Sequence, residues 1–122
     1  MYEIFKDITF SGAHMLRGYH GKCESLHGHN WKVRAFMIAE QLDELGMVVD
    51  FKALKKAMKE ICERLDHRML NDVPPFDEVN PSAENIAKYF FDELAAKAND
   101  GRACVSQVSI WESDGSCASY RP

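Results

Sequence analysis

The stretch His27-Gly28-His29-Asn30-Trp31-Lys32-Val33-Arg34-Ala35-Phe36-Met37-Ile38-Ala39 carries both the fold and the chemistry of this chain. From Asn30 onward, Trp31, Val33, Ala35, Met37 and Ala39 alternate with Lys32, Arg34, Phe36 and Ile38. Side chains of an extended chain point alternately to opposite faces, so residues 30–39 are predicted to form a strand. Both faces are apolar enough to expect cover on each side. At its entrance, His27 and His29 stand two apart and point to one face. Both imidazoles can then reach a single ion, with Gly28 leaving room for close approach.

Upstream, residues 11–28 are rich in Gly, His and Ser and lack periodicity, which predicts a loop. Structureless loops of that length in compact domains are usually functional. Before it, Tyr2, Ile4, Ile8 and Phe10 place an apolar face on a first strand over residues 2–10. Downstream, Met47-Val48-Val49 reads as a short extended piece and Asp50 as a helix cap. Leu54, Ala57, Met58, Ile61, Cys62 and Leu65 follow helical spacing, and the outer face is lined by lysines and glutamates. Pro74-Pro75 lies in the loop beyond.

Asn80-Pro81 is expected to open a second helix, with proline at the first helical position. Its stripe runs Ala83, Ile86, Ala87, Phe90, Phe91, Leu94, Ala95, Ala98, and Asn99-Asp100-Gly101 stops it. Strands over 104–112 and 116–121 follow, joined at Ser113-Asp114-Gly115. The order ββααββ predicts a single α+β domain, an antiparallel sheet with two helices on one face. Four strands leave two open edges, which a homo-oligomer joining sheet edges would cover.

Composition bounds the function. The chain has 122 residues, 46% apolar, with 15 basic against 19 acidic side chains and net charge −4. One domain with a real core is expected. An acidic chain without basic runs argues against a nucleic-acid partner, though a local basic pocket still suits an anionic small substrate. No segment approaches the roughly 20 apolar residues of a membrane span. The N-terminus has no signal pattern, so the expected location is cytoplasmic. Cys23, Cys62, Cys104 and Cys117 show no close pairing and are expected as free thiols.

Four of the five histidines fall between residues 14 and 29. If the first two strands pair, His14 meets His27 and His29. Three neutral nitrogens suit zinc, and three protein ligands leave a fourth position for water or substrate, the mark of a catalytic site. Spacing alone leaves His20 as a substitute for one of the three. Cys23, four residues before His27, reads equally as a fourth ligand, a nucleophile or base, or an inert thiol. Asp66-His67 reads as an oriented proton-transfer pair or as a histidine placed at a helix C-terminus. Glu112 reads as a carboxylate gripping two N–H groups of a heterocycle or as a solvated strand-end acid. Trp31 and Trp111 read as core rather than stacking platforms.

Together, Phe10-Ser11-Gly12-Ala13-His14, Cys23-Glu24-Ser25-Leu26-His27-Gly28-His29, Leu65-Asp66-His67-Arg68-Met69-Leu70-Asn71, Asn80-Pro81-Ser82-Ala83-Glu84-Asn85 and Trp111-Glu112 resemble the 6-pyruvoyl-tetrahydropterin synthase family. Within it the chain is most similar to bacterial 6-carboxytetrahydropterin synthases of the queuosine pathway. The resemblance implies a tunnelling fold, in which sheets of three subunits join into a barrel and two trimers stack into a hexamer. Sites would lie between subunits. It implies one zinc per subunit on His14, His27 and His29, with Cys23 as general base, Asp66 and His67 as a proton relay, and Glu112 as pterin anchor. The implied reaction converts 7,8-dihydroneopterin triphosphate into 6-carboxytetrahydropterin, acetaldehyde and triphosphate. The alternatives are the pyruvoyl-forming outcome and a non-catalytic zinc-stabilised pterin-binding module.

Overall fold

The structure is a computed structural model that describes residues 1–21 and 25–122. Strand β1 (Tyr2–His14) pairs antiparallel with β2 (His27–Ala39) without interruption, from Tyr2 opposite Ala39 to His14 opposite His27. Both strands are longer than the alternation of apolar residues indicates. Residues 11–14 and 27–28, expected as loop, are paired strand. Inward positions at this end of the pair carry Gly12, His14, His27 and His29 in place of core hydrophobes, so the apolar signal stops where the backbone ladder does not.

Helix α1 (Phe51–Glu63) is capped by Asp50, whose carboxylate accepts from the Lys52 N–H at 2.8 Å. It buries Leu54, Met58, Ile61 and Cys62. Helix α2 (Ala83–Ala98) begins later than expected. Ser82 is its cap, accepting from the Asn85 N–H at 3.2 Å, and Asn80-Pro81 stays outside. The final hairpin is formed by two strands, Ala103–Ser113 and Ser116–Tyr120.

Between the helices, Arg68–Met69 forms a two-residue strand beside Gly12 and Ala13, running parallel to β1. We number it β3 and the hairpin strands β4 and β5. The sheet order is β3-β1-β2-β4-β5, so it is mixed rather than purely antiparallel. Two residues are too few for any periodicity to announce them. Both helices pack on one face, over Phe10, Trp31, Val33, Ala35, Met37, Val108 and Ile110.

Two irregularities in β4 set which face its last residues occupy. Phe36 pairs with Gln107 and Met37 with Val105, so Ser106 is an extra residue. Ala103 and Val105 point inward before it, Val108 and Ile110 after it. A bulge shifts the alternation by one. A second lies at Glu112, between the pairs Trp111–Cys117 and Ser113–Ser116.

The opposite sheet face carries no helix. There Arg34 forms a two-pronged ion pair with Asp7 at 2.8 and 2.9 Å and lies over the Phe5 ring. Trp111, expected in the core, belongs to this face, beneath Lys32 at 4.2 Å. The Ser106 phase shift is the reason.

Candidate metal centre

The uninterrupted β1–β2 register sets His14 directly opposite His27, and Gly12 opposite His29. All three rings fall on the helix-facing side, with centroids 4.7–5.1 Å apart. Trp31 is their floor: its fully buried indole packs edge-on to His14 and His29 and donates to the Gly12 carbonyl at 3.1 Å. His20 is exposed beside Tyr19 and takes no part in the cluster.

Hydrogen bonds orient two of the rings. His14 Nδ1–H donates to the Pro81 carbonyl and His27 Nδ1–H to the Ser25 carbonyl, each at 2.8 Å. A carbonyl oxygen only accepts, so the proton sits on Nδ1 and Nε2 turns inward. This is the outer support that metal-binding histidines commonly have.

The Ser106 phase shift brings Glu112 to the same face. Its Oε1 lies 3.1 Å from His14 Nε2, 2.8 Å from His29 Nε2 and 3.8 Å from His27 Nε2. Four ligand atoms within 4.8 Å of one another form a group able to hold one metal ion. The donor set fits zinc. A neutral imidazole lone pair facing a carboxylate oxygen is repulsive unless a cation lies between them. Charging three rings in so small a volume would instead set like charges side by side.

The loop leaving His14 is held by two asparagines. Asn71 accepts from the Met15 N–H at 3.0 Å and donates to the Met15 carbonyl at 2.9 Å. Asn80 does the same for Arg17, at 2.9 Å in both directions. The Asn80-Pro81-Ser82 segment thus clamps Arg17, orients His14 and caps α2. No pattern in the sequence assigns Asn71 or Asn80 this role, because an asparagine's spacing does not announce which distant backbone it will pair with.

Asp66 and His67 are placed elsewhere, on the outer edge of β1. Asp66 Oδ1 accepts from the Ser11 N–H at 2.9 Å and lies 3.0 Å from His67 Nδ1. The Ser11 N–H, and then the His67 ring, hold the Asp66 carboxyl below its usual value. His67 has a positive φ of 57°, uncommon for a non-glycine residue, and its side chain is 81% exposed. It borders an open groove of about 490 Å³ whose wall includes Ser11, Gly28, His29, Asn30 and Arg68. Gly28 therefore does not make room at the metal group as expected. A side chain there would meet nothing within 4 Å. Cys23 lies outside the described residues.

Fold and site define an α+β protein with a three-histidine, one-carboxylate group able to hold a metal ion at one end of its sheet. The chain belongs to the 6-pyruvoyl tetrahydropterin synthase family, which it matches over residues 3–122. It is 34% identical to a 6-carboxy-5,6,7,8-tetrahydropterin synthase of Synechocystis sp., over 98% of this chain and 93% of that one. It is 33% identical to the Homo sapiens 6-pyruvoyl tetrahydrobiopterin synthase, over 98% and 90%. The 6-pyruvoyl tetrahydropterin synthase structure from Caenorhabditis elegans superposes with TM-score 0.85 at 27% identity, covering 99% of this chain and 95% of that one. The expected tunnelling-fold subunit is thereby borne out.

Proposed function

We propose that the chain is a zinc-dependent 6-carboxy-5,6,7,8-tetrahydropterin synthase. It would take 7,8-dihydroneopterin triphosphate and water to 6-carboxytetrahydropterin, acetaldehyde and triphosphate, a step of queuosine biosynthesis. The atoms balance with no external oxidant or reductant. The observation that carries the reading is the convergence of three imidazoles on Glu112, in a chain that aligns nearly end to end with 6-carboxy synthases.

His14, His27 and His29 would hold one zinc per subunit. Bound zinc would supply Lewis acidity toward the substrate's side-chain oxygens, acidifying the adjacent C–H bonds. Cys23 would be the general base. Asp66 would hold the His67 ring for a second proton transfer, from the Nδ1 side where the two already meet. Glu112 would anchor the pterin through its amino and ring N–H groups.

The groove that His67 borders is open to solvent and also has His29 of the histidine cluster in its wall. This supports sites shared between subunits of a homohexamer, two stacked trimers. The β1 edge, covered by β3 only at Gly12 and Ala13, is one seam available for joining sheets. The expected location is cytoplasmic, and no helix among the described residues is long and apolar enough to cross a membrane.

The test is to incubate the zinc-loaded protein with 7,8-dihydroneopterin triphosphate, identify the pterin by mass and assay acetaldehyde. Acetaldehyde with 6-carboxytetrahydropterin is expected. A 6-pyruvoyl product without acetaldehyde would assign the second reading, favoured by the near-equal similarity to the human enzyme. Unchanged substrate with zinc bound would leave a pterin-binding module.

A further inference from the structure

Glu112 faces two incompatible demands. Gripping a pterin edge takes both carboxylate oxygens, aimed as a fork at two N–H groups. The structure instead turns Oε1 into the histidine cluster, 2.8–3.8 Å from all three Nε2 atoms. A tetrahedral ion with donors at about 2.0–2.1 Å holds those donors roughly 3.4 Å apart. The Glu112 oxygen is therefore at ligand spacing from each histidine, in the position a catalytic site would keep for substrate. Glu112 is also the bulged residue of β4, where the ladder to β5 is interrupted. Its side chain is 31% exposed, against 3% for His14. Of the four groups, His14 is fixed by burial and by Pro81, whereas the Glu112 carboxylate is held by the histidine rings rather than by backbone.

We infer that Glu112 is an exchangeable fourth metal ligand. Its carboxylate closes the His14–His27–His29 centre in the resting protein and leaves when a pterin ring claims both oxygens. Ring recognition thereby opens the coordination position that the substrate side chain then takes. A centre closed by its own carboxylate resists adventitious ligands until the right heterocycle arrives. The inference rests on the pterin reading above, and adds that ring binding and metal coordination share one residue.

Linkage makes this measurable. A pterin without side-chain hydroxyls removes the fourth ligand and supplies none, so it and the metal must weaken each other's binding by the same factor. We expect about tenfold, within the usual range of coupling between sites. The probes are unsubstituted pterin, zinc under chelator competition, and Co²⁺ in place of zinc, whose visible spectrum reports coordination. In the wild-type protein, pterin should raise the zinc Kd and change the Co²⁺ bands. Glu112→Gln, nearly isosteric, should bind zinc roughly 10- to 100-fold more weakly, at least the loss that outer-shell partners cause. In it the pterin–metal coupling should vanish. Glu112→Asp, which keeps the charge on a shorter arm, should recover part of the zinc affinity.

Wild-type zinc affinity and Co²⁺ spectrum in Glu112→Gln would overturn the inference. So would a wild-type protein that binds pterin and zinc independently. If product still forms in the mass assay, only this inference has failed. If pterin does not bind and substrate is not converted, the exchange and the pterin reading fail together.

Discussion

At the scale of single residues, the centre depends on which nitrogen of each ring faces inward, and for His14 and His27 that is set by carbonyl partners rather than by the histidines themselves. His27→Ala removes one inward nitrogen, and zinc content after gel filtration should drop from one per subunit toward zero. Full occupancy would mean that His27 is not a ligand. Cys23→Ala should keep its zinc and lose turnover, because a general base is needed for proton transfer and not for binding. Zinc loss on that change would support a closed structural site. Asn71→Ala tests the clamp behind His14. Asn71 is 7% exposed and makes two hydrogen bonds to Met15, so its loss leaves two half-buried backbone groups without these partners. A destabilisation of about 1–3 kcal/mol in denaturant titration is expected, with weaker zinc binding alongside. Unchanged stability would show that water replaces the amide without cost.

At the scale of elements, α1 follows its sequence closely. Its cap, its apolar stripe and its lysine-rich outer face all appear where the spacing puts them. One residue of that stripe gives a chemical readout. Burial, and secondarily the nearby Asp66 charge, push the Cys62 thiol up to about 12. Cys62 therefore stays protonated at neutral pH and is shielded, while Cys104 and Cys117 are exposed. Iodoacetamide labelling of the native protein, mapped by mass spectrometry, should modify Cys104 and Cys117 well before Cys62. Labelling of Cys62 at a similar rate would show that the α1–sheet contact opens readily. The β4 strand is less legible. Its apolar residues mark a strand, but only pairing with β2 shows that Ser106 is extra and that Glu112 and Trp111 have exchanged faces.

At the scale of the whole molecule, acid stability is shared among carboxylates at separate corners. The Arg34 hydrogen bond and charge depress Asp7, the Ser11 N–H depresses Asp66, and the N–H groups of Ala103 and Arg102 depress Asp100. Each therefore binds its proton less readily folded than unfolded. The stability this contributes is present above the unfolded value near 3.9 and is lost as pH falls through the lower folded values. Solvent screening keeps each share small. Thermal unfolding of chelated protein should show a falling midpoint from about pH 5 to pH 3. Asp7→Asn should flatten that fall, and an equally steep limb would remove Asp7 from the set.

The sequence by itself determined the main elements, the core stripes and the shared face of His27 and His29. Period-2 and period-3.6 patterns are local, and His27 and His29 need only an extended backbone to share a face. The resemblance added Asp66, His67, Glu112 and Cys23 as residues with work to do. Tertiary structure alone decided that β1 and β2 run on past their apolar residues. It also decided that a two-residue parallel strand fastens Arg68–Met69 to β1, and that Asn71 and Asn80 hold the loop behind His14. The β3 and asparagine contacts join segments some 50 to 65 residues apart, and each uses backbone groups that every residue carries. No side-chain pattern encodes them, and the bulge that turns Glu112 toward the histidines exists only once β4 has two neighbours to pair with.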